Sequence, residues 1–168
     1  PERARSRSLR VRQAASLAID RQAVNQAETL GFSRLTGSIV PRIFQYAVQF
    51  EPPAYDPARA KKLLADAGYP NGFDGGDFYP FPPYNSMGEA IANYFGAVGI
   101  RTRVRTMERA ALLSAWKDKK LRNLFVGATG SAGNASTRLE AFATGKGVLS
   151  YGSIPEVETL FAAQLQEM

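Results

Sequence analysis

Apolar residues recur at helical spacing in several stretches of this chain. Positions three and four residues apart fall on one face of an α-helix, so each stretch predicts a helix with one buried side. The clearest begins after Asp56, a good N-cap, and stops at Gly68, which favours the left-handed backbone of a helix end. Ser86 and Glu89 have the spacing of a capping box that opens another helix. The predicted helices cover residues 9–19, 21–30, 57–67, 86–98, 109–119, 137–143 and 155–166.

Three stretches have the pattern of β-strands. Residues 77–81 and 124–126 are short and largely apolar, and residues 100–106 alternate between aliphatic or threonine side chains and arginines. The order strand, helix, strand, helix, strand predicts an α/β layer with parallel or mixed pairing. Ligands bind such sheets where loops leave the carboxyl ends of the strands. The loops at 79–85 and 127–134 are therefore the candidate ligand-binding segments.

The first candidate loop concentrates aromatic residues. Aromatic side chains with a polar tip suit a pocket that flanks an organic ligand. The alternative is that this cluster of prolines and aromatics caps the hydrophobic core. The candidate ligand-binding residues here are Tyr79, Phe81, Tyr84 and Asn85.

The second candidate loop is rich in glycine and hydroxyl residues. Glycines allow the backbone to approach a ligand, and hydroxyl and amide groups supply adaptable hydrogen bonds. The alternative is a flexible surface loop. The candidate ligand-binding residues here are Thr129, Gly130, Ser131 and Asn134.

Residues 32–55 show little periodicity and contain Pro41, Pro52 and Pro53. A long segment without regular structure is unusual inside a compact domain unless it lines a functional site.

Composition narrows the possible functions. An apolar content of 45% and 168 residues are sufficient for one domain with its own core. The chain has no cysteine and no histidine, which excludes disulfides, thiolate nucleophiles and the Ser-His-Asp triad, and leaves few options for a zinc site. No pair of carboxylates has the spacing expected of a glycosidase or a two-metal site. We therefore expect neither hydrolytic chemistry nor a metal site.

The net charge of +6 is concentrated at the start of the chain, where residues 1–21 hold six arginines against Glu2 and Asp20. A basic segment of this kind can bind nucleic acid or anionic lipid, or it can be a solvated lead-in to the first helix. We expect residues 1–8 to be a flexible basic lead-in. The arginines at 101, 103 and 105 predict a solvated strand face, with anion binding as the alternative.

Four phrases in a fixed order carry a family resemblance. They are LRVRQAASLAIDRQAV (9–24), GSIVP (37–41), YDPARAKKLLADAG (55–68) and YPNGF (69–73). Together they resemble the carboxy-terminal lobe of the family 5 extracellular solute-binding proteins, the dipeptide, oligopeptide and nickel receptors that feed ABC importers. The likeness extends, more weakly, from about residue 9 to residue 160.

The resemblance implies a fold and a function. The fold is α/β, one lobe of a two-lobe receptor like the periplasmic binding proteins (type II, cluster C), with a mixed sheet flanked by helices. Residues 1–168 are then a single lobe and a fragment of a larger protein. The function is capture of a peptide-like or other small polar solute, in the periplasm or in a lipid-anchored extracellular setting. The implied partners of the full-length protein are an ABC permease and ATPase. The resemblance implies a receptor that is not an enzyme and has no cofactor. The alternative is a stand-alone nucleic-acid-binding domain that uses the arginine-rich start.

One departure from the family concerns the second candidate loop. In the peptide-binding members, the resemblance places there an aspartate that pairs with the α-ammonium of the peptide. Residues 129–136 contain no acid, and Ser131 and Asn134 stand where acids would be expected. We therefore predict that the ligand is not selected by a free α-amino group.

Overall fold

A computed structural model describes residues 8–130 and 133–167. The helices and strands in this part of the chain are those predicted, and helix ends differ from the predicted bounds by one or two residues. In chain order they are α1 (Leu9–Leu17), α2 (Arg21–Thr29), α3 (Pro57–Asp66), β1 (Phe73–Pro80), α4 (Asn85–Val98), β2 (Ile100–Val104), α5 (Arg109–Lys117), β3 (Leu124–Val126), α6 (Ala135–Ala143) and α7 (Pro155–Gln164).

The strand β1 begins earlier than predicted. Its predicted start is residue 77, because residues 69–76 are rich in glycine and have the composition of a turn. In the structure the strand continues through that stretch, and its pairing with β2 is irregular between Asp74 and Gly76. The Asp74 carboxylate accepts a hydrogen bond from the backbone N–H of Gly76 at 2.8 Å, and Gly76 has a φ of 76°. A bulge with a glycine in the left-handed region explains why a turn-like sequence forms a strand here.

The strands form one three-stranded sheet in the order β2-β1-β3. Both pairings are parallel, so the sheet in the described residues is parallel rather than mixed. The chain leaves β1 through α4 to reach β2 on one side, then returns through α5 to place β3 on the other side. The carboxyl ends of β1 and β3 therefore form a topological switch point, where parallel sheets hold their ligands.

The described chain forms two compact units. The first comprises residues 8–35, 53–113 and 121–128, and the second comprises residues 36–52, 114–120, 129–130 and 133–167.

The first unit contains the sheet and the main hydrophobic core. Leu63 and Val126 are only partly buried and pack against this core. The buried members of the core cluster are Val11, Ala14, Ala18, Ala60, Leu64, Phe73, Phe78, Ile91, Phe95, Val98 and Ile100.

A half-buried arginine joins the first sequence phrase to the segment that precedes α3 in the first unit. The guanidinium of Arg21 donates to the carbonyl of Ser16 at 2.8 Å and to that of Pro53 at 3.4 Å. The backbone N–H of Asp56 donates to the carbonyl of Leu17 at 2.9 Å. These bonds hold the α1–α2 turn against the segment that leads into α3.

The second unit has its own aromatic cluster. Trp116 belongs to this unit, and the centre of its ring lies 6.2 Å from that of Phe142. Its indole N–H donates to the carbonyl of Leu149 at 3.1 Å. The ammonium of Lys119 donates to the carbonyls of Gly147 and Val148 at 3.0 and 2.7 Å. Tryptophan and lysine thus fix the loop between α6 and α7.

The irregular segment 36–52 of the second unit has no helix or strand and exposes several large apolar side chains. Its ends are held together by a hydrogen bond from Gly37 N–H to the Phe50 carbonyl at 2.8 Å. The exposed members are Ile39, Ile43, Tyr46, Val48 and Phe50.

The predicted capping box at Ser86 is wrong. The helix α4 begins at Asn85 and its N-cap is Tyr84, so Ser86 lies inside the first turn. The Ser86 hydroxyl instead donates to the Glu28 carboxylate at 2.7 Å. A long-range partner has replaced the local one.

Within residues 8–130 and 133–167, no helix combines the length and the apolar character that crossing a bilayer requires.

Candidate ligand-binding site

The first candidate loop leaves the sheet at the switch point of the first unit. Pro80 of β1 is paired with Val126 of β3, and the backbone N–H of Phe81 donates to the Val126 carbonyl at 3.1 Å. Tyr84 N–H then donates to the Phe81 carbonyl at 2.9 Å, which closes a turn immediately before α4. The loop thus brings Phe81, Tyr84 and Asn85 to the carboxyl edge of the sheet.

These three residues differ in what they offer a ligand. Phe81 is only 4% exposed, and the Arg109 guanidinium lies 5.4 Å from the centre of its ring, so this side chain caps the core. Tyr84 is 41% exposed and can contact a solute. The side-chain oxygen of Asn85 is buried and has no hydrogen-bond partner among the residues that the structure describes. Because an unsatisfied buried acceptor destabilises a fold by about 1 to 3 kcal/mol, this oxygen calls for a donor from water or from a ligand.

Tyr79 does not lie in the loop. It is the penultimate residue of β1, and its hydroxyl donates to the Asp77 carboxylate at 3.4 Å. Burial and the nearby charge of Asp77 raise the pKa of Tyr79. This residue belongs to the charged face of the sheet rather than to the carboxyl edge.

That charged face pairs the arginines of β2 with the carboxylates of β1. Arg103 contacts Asp74 at 2.9 Å and Asp77 at 3.2 Å, and Arg105 contacts Asp77 at 3.4 Å. The hydrogen bond from Arg103, with the bond from Gly76 N–H, lowers the pKa of Asp74. Two of the three predicted solvated arginines are therefore neutralised by neighbours, which weakens the alternative that the row binds anions.

The second candidate loop lies in the second unit. Asn134 caps α6, because its side-chain oxygen accepts from the Thr137 N–H at 2.9 Å. The Thr129 hydroxyl accepts from the Arg138 guanidinium at 2.6 Å, and the Gly130 carbonyl accepts from it at 3.1 Å. Ser131 lies outside the described residues. The side-chain oxygen of Asn134 is thus already occupied by the helix cap. Thr129, Gly130 and Arg138 are the remaining groups of this loop that a ligand could contact.

Two residues that shape these loops were not selected from the sequence. Arg138 holds the second loop in place, yet it occurs in a helical stretch where an arginine usually faces solvent. Gly88 lets α4 lie against Pro80, and a glycine inside a predicted helix was the one signal that could have identified it.

A separate cleft of about 320 Å³ lies in the first unit between α1, α3 and Pro53. None of the predicted site residues lines it. Its walls are formed by Arg12, Gln13, Ser16, Leu17, Pro53, Arg59 and Leu63.

In residues 8–130 and 133–167, no group of three or more carboxylates is arranged to hold a metal ion.

Known proteins resemble this chain in both sequence and structure. Residues 3–150 match the model of the bacterial extracellular solute-binding proteins, family 5 Middle. The chain is 31% identical to the glutathione-binding protein GsiB of Salmonella choleraesuis over 140 residues, 77% of this chain and 27% of the relative. It is 32% identical to the heme-binding protein A of Haemophilus influenzae over 141 residues, 79% of this chain and 26% of the relative.

A solved structure has the same fold. The periplasmic binding protein DppA from Helicobacter pylori, in complex with the peptide STSA, superposes with a TM-score of 0.80 at 20% identity. The superposition covers 92% of this chain and 32% of DppA. The chain thus spans less than a third of the length of each of these three proteins.

Proposed function

The chain belongs to the family 5 bacterial extracellular solute-binding proteins, and from this premise we propose that it is part of the substrate-binding component of an ABC importer. The full-length protein captures a peptide-like or other small polar solute and delivers it for transmembrane transport. The permease and ATPase of the importer are its partners, and its setting is the periplasm or a lipid-anchored extracellular surface.

The switch point of the first unit is the observation that carries this proposal. An exposed aromatic side chain, Tyr84, stands there beside the unpartnered buried oxygen of Asn85. An aromatic surface and an unused acceptor are what a small polar solute with an apolar part requires. We propose that Tyr84 packs against the solute and that Asn85 accepts a hydrogen bond from it.

Binding rather than catalysis is the role that these residues favour. The candidate loops supply aromatic, amide, hydroxyl and backbone groups, and their side chains include no pair of nucleophile and general base. The relatives named above bind glutathione and heme, and DppA was solved with a peptide. Peptides and compounds of similar size are therefore the first solutes to test.

The nucleic-acid alternative has less support. This alternative rests on the arginine-rich start of the chain, whereas the family match favours solute binding. The arginines at 3, 5 and 7 lie outside the described residues. Steeply salt-dependent binding of DNA would be the signature of this alternative.

A ligand screen on the full-length protein tests the proposal. The melting temperature is measured with a panel that includes glutathione, dipeptides, tetrapeptides and heme, and the affinity for each stabilising solute is then determined by calorimetry. The proposal predicts saturable binding of at least one solute. A panel that leaves the melting temperature unchanged throughout would argue against it.

Matched variants localise the site. Tyr84→Ala and Asn85→Ala are expected to weaken binding by roughly tenfold or more, which corresponds to the loss of about 1.4 kcal/mol of contact energy. Phe32→Ala is the control, because Phe32 is 87% exposed and lies away from the switch point in sequence. Equal affinities for all three variants would place the solute elsewhere.

A further inference from the structure

The guanidinium of Arg138 is fixed by three acceptors from two segments of the second unit. Nη1 donates to the Thr129 hydroxyl at 2.6 Å and to the Gly130 carbonyl at 3.1 Å. Nε donates to the Ile39 carbonyl at 3.3 Å, and the guanidinium carbon lies 4.7 Å from the ring centre of Phe142. The group is held in one orientation by hydrogen bonds and by contact with an aromatic face.

This arrangement leaves part of the arginine unused. A guanidinium has five N–H groups, and the contacts above occupy those of Nε and Nη1. Among the residues that the structure describes, the two N–H groups of Nη2 have no acceptor. None of the ion pairs within 8–130 and 133–167 includes Arg138, so no described carboxylate neutralises its charge.

The loop that precedes the arginine contains no acidic residue. Residues 127–139 contain no aspartate or glutamate. A half-buried cation with a free donor edge is suited to a carboxylate or another oxyanion, because charge-assisted hydrogen bonds are stronger than neutral ones. Much of the side-chain entropy of an arginine has already been lost to the three acceptors, so an anion binds to a group that is already oriented.

We propose that Arg138 recognises an anionic group of the solute, with Nη2 donating to a carboxylate or similar oxyanion presented at the second candidate loop. The inference rests on the proposed function, since it assumes that this loop faces the solute. It adds the class of ligand: an organic anion, oriented with its negative end at Arg138. A purely structural role accounts for the contacts with Thr129, Gly130 and Ile39, but it gives Nη2 no acceptor among the described residues.

The test uses the full-length protein and succinate as the probe. The side-chain resonances of ¹⁵N-labelled arginines are followed by NMR while succinate is added at constant ionic strength, and Arg138→Lys identifies the Arg138 signal. The expected result is a saturable shift of the Arg138 signal, accompanied by shifts of the Thr129 and Gly130 amides. Succinamide, which has the same shape and no charge, is expected to produce neither.

Variants give a second readout. Arg138→Gln is expected to weaken succinate binding at least about tenfold, as the loss of charge-assisted hydrogen bonds predicts. Arg122→Gln removes an exposed arginine near the loop in sequence and is expected to leave the affinity unchanged. A response of Arg138 that does not saturate, or that succinamide reproduces, overturns the inference even if Arg138→Gln fails to fold, because it is measured on the unaltered protein.

The outcome is separable from that of the proposed function. A receptor that captures a solute from the panel, with an affinity that Arg138→Gln leaves unchanged, retains the proposed function and rejects the role of Arg138. A protein that gives the succinate response and binds nothing in the panel leaves an anion site at Arg138 and rejects the proposed function.

Discussion

The fit of α4 against the end of β1 makes a prediction about two glycines of the same helix. A Cβ atom added at Gly88 would lie 2.5 Å from Cβ and 2.9 Å from Cγ of Pro80. Pro80 is fully buried and its ring cannot rotate away. At Gly96 an added Cβ would meet no atom within 4 Å. Gly88→Ala therefore forces α4 away from β1, whereas Gly96→Ala has no such consequence.

The magnitude follows from two opposing effects. Alanine is a better helix former than glycine, which stabilises either variant by up to about 1 kcal/mol. Overpacking in a filled interior destabilises by about 1 to 3 kcal/mol, and it applies only to Gly88→Ala. Because the helix-propensity gain is similar at both positions, the difference in unfolding free energy between the variants isolates the packing effect. We expect Gly96→Ala to be the more stable of the two by about 1 to 3 kcal/mol.

Urea denaturation of the 168-residue chain measures this difference, and the same pair in the full-length protein connects it to function. Displacement of α4 moves Tyr84 and Asn85, so Gly88→Ala is also expected to weaken solute binding while Gly96→Ala leaves it unchanged. Equal midpoints and equal slopes for the two variants would refute the packing of α4 on Pro80, and with it the geometry of the switch point.

Three further predictions concern the core, the charged face and the ligand. Leu64→Ala is expected to reduce the unfolding free energy by about 2 to 5 kcal/mol, because Leu64 is 1% exposed. The control Leu160→Ala is expected to reduce it by less than about 0.5 kcal/mol, because Leu160 is 71% exposed. Similar losses in denaturation midpoint for the two variants would mean that the burial of α3 is wrong. The lowered pKa of Asp74 stabilises the fold above the unfolded-state pKa of about 4, and this contribution disappears as the pH falls through the folded-state value. Asp74→Asn is therefore expected to lower the melting temperature at neutral pH and to flatten its decline in acid; superimposable pH profiles would exclude the ion pair. The full-length protein is expected to bind a dipeptide no more tightly than its amino-acetylated form, because residues 129–136 offer no carboxylate and an unpaired buried ammonium would be destabilised by several kcal/mol. Calorimetry showing strong binding that acetylation abolishes would contradict this.

The helices could be predicted because their signals are local. Asp20 and Asp56 accept from backbone N–H groups three residues ahead, as their position before a helical stretch predicted. The start of β1 could not be placed, because a bulge at Gly76 lets a turn-like sequence continue as a strand. Ser86 shows the same limit: its local partner was Glu89, and its actual partner is 58 residues away.

The site was predictable to the level of segments but not of side chains. Alternation of strands and helices located both loops at strand ends, since parallel topology follows from that order. Whether a side chain in such a loop faces a solute or a neighbour depends on distant residues. Phe81 faces the core and Arg109, and Tyr79 is drawn to Asp77. Arg138 is held in place by hydrogen bonds to Thr129, Gly130 and Ile39, and no spacing of residues in the sequence predicts that arrangement.

The measurement that tests the account most directly is calorimetry of one captured solute against the full-length protein and against the 168-residue chain alone. In a two-lobe receptor, much of the contact area and the exclusion of water come from the part of the protein beyond this chain. The account predicts saturable one-to-one binding by the full-length protein and weak or undetectable binding by the chain alone. Micromolar or tighter binding by the isolated chain would contradict it, because the site would then be self-contained.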